Sequence, residues 1–326
     1  MMKTFAAVSL ALVLAATPAP ASAAEMVRPV PSSLGASGVM FDTRAKANGE
    51  TYRIHVALPP GMEPGARYPV VYLLDADWHF PLMAETARLL VEAGAIAPVI
   101  VVGIGYRVTR PMETITLRTR DFTVAGDRPH EELIRKIVGE GPVIRTGGAE
   151  AFLAFIQQEL KPAIAARFPA DNGRTALFGH SLGGTFGLNV LFRHPESFTA
   201  YGLSSPPVLW GEEEALKLET DRAARHRDLP VELVLSVGGD ERTLAHVLGL
   251  PPAMKAEEEK MLAAFGNPDP AAQLMGFDSR LRGRAYPGLR YSGLTIYSGH
   301  GHGSVPIPAF AAGLLAFFKA GAGDGR

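Results

Sequence analysis

The sequence predicts an α/β fold, a mostly parallel central sheet with helices on both faces and a cap excursion. Three observations predict it. Unbroken apolar runs at residues 70–74 and 97–105, and a further largely apolar stretch at 231–237, read as parallel strands buried on both faces. Segments of helical periodicity separate them, so strand and helix alternate along the chain. Residues 174–192, RTALFGHSLGGTFGLNVLF, read as a short apolar strand, a sharp glycine-rich turn and a helix that opens near Leu182.

The elements follow in order. Residues 38–44 and 51–58 predict two antiparallel strands that open the sheet, the second closed by Pro59-Pro60-Gly61. The strand at 70–74 ends in Asp75-Ala76-Asp77-Trp78, and a helix is predicted over 82–92. After the strand at 97–105, residues 106–147 break the rhythm with Arg, Thr, Gly and Pro. An excursion that follows a parallel strand falls over the strands' carboxyl ends, where α/β sheets bind ligands, so it is read as a cap. A helix over 149–168 leads into the strand at 175–178. Beyond it come a strand at 200–204, a helix at 212–225 and the strand at 231–237. A helical, partly lid-like stretch at 248–282, a last strand at 294–297 and an amphipathic helix at 308–319 close the chain. No internal repeat or linker divides residues 24–326, which are read as one domain.

With 326 residues, 47% of them hydrophobic, the chain has enough apolar surface for a large core. A net charge of −1 leaves no electrostatic footprint for nucleic acid, so the expected partner is a small molecule. Lys3, the apolar run 5–16 and Ala21-Ser22-Ala23 follow the charged, apolar and small-residue order of a secretory leader, with cleavage expected after Ala23. That run is shorter than the roughly 20 residues of a membrane span. The mature protein is therefore expected in a bacterial periplasm or outside the cell, without stable membrane insertion. The chain has no cysteine, so it holds together without disulfides.

Gly179-His180-Ser181-Leu182-Gly183 fits G-x-S-x-G, a turn so tight that glycines must flank the serine. A serine hydroxyl needs a base to take its proton, and the base needs an acid to orient it. Such folds supply serine, acid and histidine in that order, each at a strand end. Ser181, then Glu241 or Asp240, then His302 or His300 reproduce it. His302 is favoured as base because His-Gly-Ser-Val leaves it at the loop tip before the closing helix, and Glu241 is favoured modestly over Asp240. His180 is expected to pack behind the serine. The backbone N–H groups of Leu182 and Asp77 occupy the two places from which an oxyanion is stabilised. Asp75-x-Asp77 also suggests a metal, but its second carboxylate is expected to point away while its N–H serves the site, and His300-x-His302 lacks an obvious third ligand; no metal and no cofactor are expected. Arg118, Arg120, Trp78 and Trp210 are candidates to bind an anionic, aromatic acyl group. The alternative for Arg120 is a pair with Asp121 or another cap carboxylate.

Residues 68–80 (YPVVYLLDADWHF), 118–123 (RTRDFT), 147–164, 178–198 and 302–305 (HGSV) resemble the "Putative esterase" branch of the α/β-hydrolase superfamily. That branch includes siderophore esterases and is related to feruloyl esterases, S-formylglutathione hydrolases and mycolyltransferases. The resemblance implies an α/β-hydrolase fold, with Ser181 as nucleophile, His302 as base, Glu241 at the acid position and the Asp77 and Leu182 amides as oxyanion hole. Relatives often carry glycine where Ala76 stands, and some have been regarded as leaning on a serine–histidine dyad. The function expected is an exported serine esterase working through an acyl-enzyme, with siderophore trilactones the leading substrate class. Feruloyl or short-chain acyl esters, acyl transfer to an alcohol, and ligand binding without turnover are the alternatives.

Overall fold

The computed structural model describes residues 28–30, 37–108, 111–124, 126, 128, 131–132, 135, 143–208, 210–243 and 269–320. The predicted leader lies outside them, as do most of residues 125–142 of the predicted cap and 244–268 of the predicted lid.

Among the described residues nine strands form one sheet: β1 (Arg28–Val30), β2 (Ser37–Arg44), β3 (Thr51–Leu58), β4 (Tyr68–Leu73), β5 (Ile100–Tyr106), β6 (Ala170–His180), β7 (Ala200–Ser204), β8 (Glu232–Gly238) and β9 (Arg290–Tyr297). Their order is β1-β2-β3-β5-β4-β6-β7-β8-β9. The pairs from β1 to β5 across β2 and β3 are antiparallel, and every pair from β5 to β9 is parallel.

Alternation along the central strands creates two cores. Val70, Tyr72 and Leu74 face one of them, built with Phe122, Phe152, Phe155, Phe186 and Phe277. Val71 and Leu73 face the other, which α1 (Ala76–Glu92) closes with Met83, Ala84 and Ala87. The last helix joins that second core through Ala309, Phe310 and Leu314. The unbroken apolar runs are thus two interleaved faces, as buried parallel strands require.

Two predicted elements differ. α1 starts at Ala76 rather than 82 and runs through Pro81, which leaves the Asp77 carbonyl without an intrahelical donor. Room for this early start comes from β5, where Gly103 lies under Ala76 and Phe80, and Gly105 under the Asp77 carboxylate. Within the predicted cap, Pro111–Phe122 is helix α2, and Thr119, Asp121 and Phe122 are fully buried. This part of the excursion is core, not cover. Its inward face is polar, so hydropathy did not mark it.

The helix predicted over 149–168 is present in three consecutive pieces, α3 (Ala149–Phe155), a π-turn (Ile156–Leu160) and α4 (Lys161–Arg167). Lys161 follows the π-turn and is buried, its ammonium donating to Thr175 Oγ1 and the Ser197 carbonyl and lying 3.9 Å from the centre of the Phe198 ring. Burial pushes this amine down to about 7. The unfolded chain then holds more protons than the folded one between that value and the ordinary lysine range, so this group makes stability rise with pH across the window. Denaturant titrations from pH 7 to 10 are expected to show that slope in the wild type and a flatter one in Lys161→Met.

Candidate active site

β6 leads through Ser181 into α5 (Leu182–Arg193), a helix whose residues 182–192 are all buried. Ser181 has φ 56° and ψ −127°, a conformation that side chains rarely adopt. The turn holds because its glycines let strand and helix touch: a Cβ on Gly179 would collide with the Gly183 carbonyl oxygen, and one on Gly184 would lie 3.0 Å from Pro206 Cβ. The Ser181 N–H donates to the Ser204 carbonyl of the neighbouring strand at 2.9 Å.

Two strands along, the turn after β8 carries Glu241, which is fully buried, while Asp240 is exposed. His302 follows β9 at the sheet edge and donates from Nδ1 to Glu241 Oε2 at 2.7 Å. With Nδ1 so engaged, Nε2 is the nitrogen left to take a proton. Ser205 Oγ and the Gly238 N–H donate to the other oxygen, Oε1, at 2.6 and 2.8 Å. His300 contributes its carbonyl to the Asp240 N–H, and its buried Nδ1 has no hydrogen-bond partner among the described residues.

His180 is buried beneath, its ring centre 4.4 Å from that of His302 and its Nδ1 3.3 Å from Ser204 Oγ. Burial, reinforced by His302 beside it, holds this imidazole well below the usual histidine range. It is therefore a neutral ring at neutral pH. His79, which sequence reasoning did not single out, stands edge-on to it at 6.1 Å.

Leu182 and Asp77 both lie in the first turn of a helix, where backbone N–H groups have no intrahelical acceptor. Ala76, in the place where relatives often have glycine, is buried at the start of α1. Neither aspartate of Asp75-x-Asp77 is free for a metal. Asp77 Oδ2 accepts from the Tyr106 N–H, and Asp75 forms a bidentate pair with Arg118, both contacts 2.8 Å. Among the described residues no cluster of three or more His, Cys, Asp or Glu would hold a metal ion.

Both arginines named as candidate substrate ligands stand in ion pairs with carboxylates of the protein. Arg118 is buried between Trp78 and Phe122, 5.3 and 5.2 Å from their ring centres, with its fork committed to Asp75. Arg120 donates to Asp121 at 2.7 Å and to Glu50 at 3.0 Å, which is the alternative weighed for it. Asp121 in turn accepts from the Tyr52 and Tyr106 hydroxyls, so α2 is tied to β3 and β5. Trp78 is 46% exposed, with the Arg118 guanidinium against its ring. Trp210 opens α6 (Trp210–Arg225), and its side chain lies outside the described residues.

A serine on a strained strand-to-helix turn, at the carboxyl end of a parallel sheet flanked by helices, defines an α/β-hydrolase. The model of the family described as "Putative esterase" matches residues 45–133 and 135–263, and the chain belongs to that family. It is a carboxylic ester hydrolase of the serine-hydrolase type. The chain is similar to the ferri-bacillibactin esterase BesA of Bacillus subtilis, 36% identical over 60% of this chain and 67% of that one. It is also similar to the siderophore triacetylfusarinine C esterase of Aspergillus fumigatus, 30% identical over 83% of this chain and 90% of that one. Among solved structures, siderophore hydrolase EstA from Aspergillus nidulans superposes with a TM-score of 0.71 at 25% identity, covering 89% of this chain and 96% of that one.

Proposed function

We propose that the protein hydrolyses ester bonds of a siderophore through an acyl-enzyme on Ser181. The contact that carries this reading is His302 Nδ1 to Glu241 Oε2, which leaves Nε2 as the base on the loop beside the elbow. Ser181 Oγ attacks the ester carbonyl and gives its proton to Nε2. The amides of Leu182 and Asp77 receive the developing oxyanion, and the N-terminal dipole of α5 adds to them. Collapse releases the alcohol, which takes the proton from His302. Water, deprotonated by the same nitrogen, then frees the acid and restores the serine.

The siderophore assignment is supported by the names of the relatives and by Trp78, whose exposed indole suits an aromatic or otherwise flat acyl group. The leader read at residues 1–23 adds that the enzyme is exported and cleaved after Ala23, which the mass of the mature protein tests directly.

Turnover of iron-free and ferric siderophore triesters should be compared with that of a feruloyl ester and short-chain para-nitrophenyl esters. The expected result is the highest kcat/KM on a siderophore ester, with a fluorophosphonate label recovered on the peptide containing Ser181. Turnover of the simple esters alone rejects the siderophore assignment, and a label on another residue rejects the mechanism.

A further inference from the structure

The end of β7 touches the elbow, the His180 ring and the acid without supplying a reacting atom. The Ser204 carbonyl accepts the Ser181 N–H, and Ser204 Oγ meets the His180 ring on which His302 packs. Ser205, one residue on, has φ 47°. A serine in this left-handed region costs free energy that a glycine avoids. Strand neighbours face opposite ways. The left-handed step breaks that alternation and brings the Ser205 hydroxyl to Glu241 Oε1 at 2.6 Å, while its N–H is held by the Ser236 carbonyl at 2.8 Å. Ser205 is buried, and so is its contact with the acid.

We infer that Ser205 is a positioning residue for ester hydrolysis: its hydroxyl, with the Gly238 N–H, clamps Glu241 Oε1 so that Oε2 stays aimed at His302 Nδ1. This rests on the proposed triad. Without the hydroxyl, the Gly238 N–H is the one donor left on Oε1 among the described residues. The carboxylate then gains a rotation that carries Oε2 off the imidazole, and the base loses its fixed tautomer. The strained backbone at 205 persists because the hydroxyl is needed at that point.

The test compares Ser205→Ala, Ser205→Gly, Glu241→Gln and the double variant Ser205→Gly/Glu241→Gln on one ester. Both serine variants are expected to lose about tenfold in kcat, the scale of a hydrogen bond to a charged group, with KM little changed. Ser205→Gly should nevertheless melt above Ser205→Ala, because only glycine relaxes at this φ. In the double variant the serine change should cost nothing beyond Glu241→Gln, the signature of a residue that acts through the acid. Wild-type kcat in Ser205→Gly, beside an impaired Glu241→Gln, overturns the inference and leaves the triad standing. The same tenfold loss on top of Glu241→Gln overturns it as well. Full activity in Glu241→Gln removes the acid from the mechanism and the inference with it.

Discussion

Ser181→Ala is expected to lower kcat by about 10⁴- to 10⁶-fold on any ester the enzyme accepts, with the melting temperature unchanged. The size follows from removing the atom that forms the acyl bond, which leaves only the binding and electrostatic contributions of the site. Stability is unaffected because alanine inherits the same φ of 56° and pays the same strain. Ser181→Gly separates the two effects. It is equally inactive but relaxes the turn, and an increase of about 1–3 kcal/mol in unfolding free energy is expected in denaturant titration. Residual turnover in Ser181→Ala near the wild-type rate would place the nucleophile elsewhere.

Arg118→Met is expected to destabilise the protein by about 3–5 kcal/mol, because it leaves the Asp75 carboxylate buried without its partner. The side chains of the pair are 10% and 2% exposed, so water does not replace the lost contacts. Asp75 also carries the left-handed turn at φ 55° from which α1 starts, two residues before the Asp77 amide. Activity should therefore fall together with stability. Asp75→Asn combined with Arg118→Met removes both charges and is expected to be more stable than Arg118→Met alone. Measured without a melting curve, the single variant would imitate a substrate-binding defect, the very reading that residue types alone suggested for Arg118.

The legible parts of the molecule were those written locally. Apolar runs marked the buried strands, because a strand covered on both faces has no polar side to interrupt it. The turn at Ser181 was legible because its strain demands glycines at fixed offsets, and the order of Glu241 and His302 because each closes a strand. What escaped was polar and long-range. α2 presents Thr119, Asp121 and Arg118 to the interior, so its buried side has the composition of a surface. Arg118 finds Asp75 across 43 positions of sequence, and no spacing rule reaches that far. Ser205 is set apart by its φ, its burial and its contact with Glu241, none of which a residue type reports. Pro81 hid the first turn of α1, because a proline there reads as a start rather than an interior residue.

The complete burial of α5 from Leu182 to Phe192 bears on how the enzyme keeps its geometry over time. Amide exchange with solvent proceeds through local openings, and an element walled in on every side opens only when the whole domain does. The serine is thus presented by the slowest-breathing part of the molecule. His302 follows β9, an edge strand in which every residue but Gly293 is exposed or half-buried. Amide exchange is consequently expected to be slower along α5 than along β9, which hydrogen–deuterium exchange measures directly.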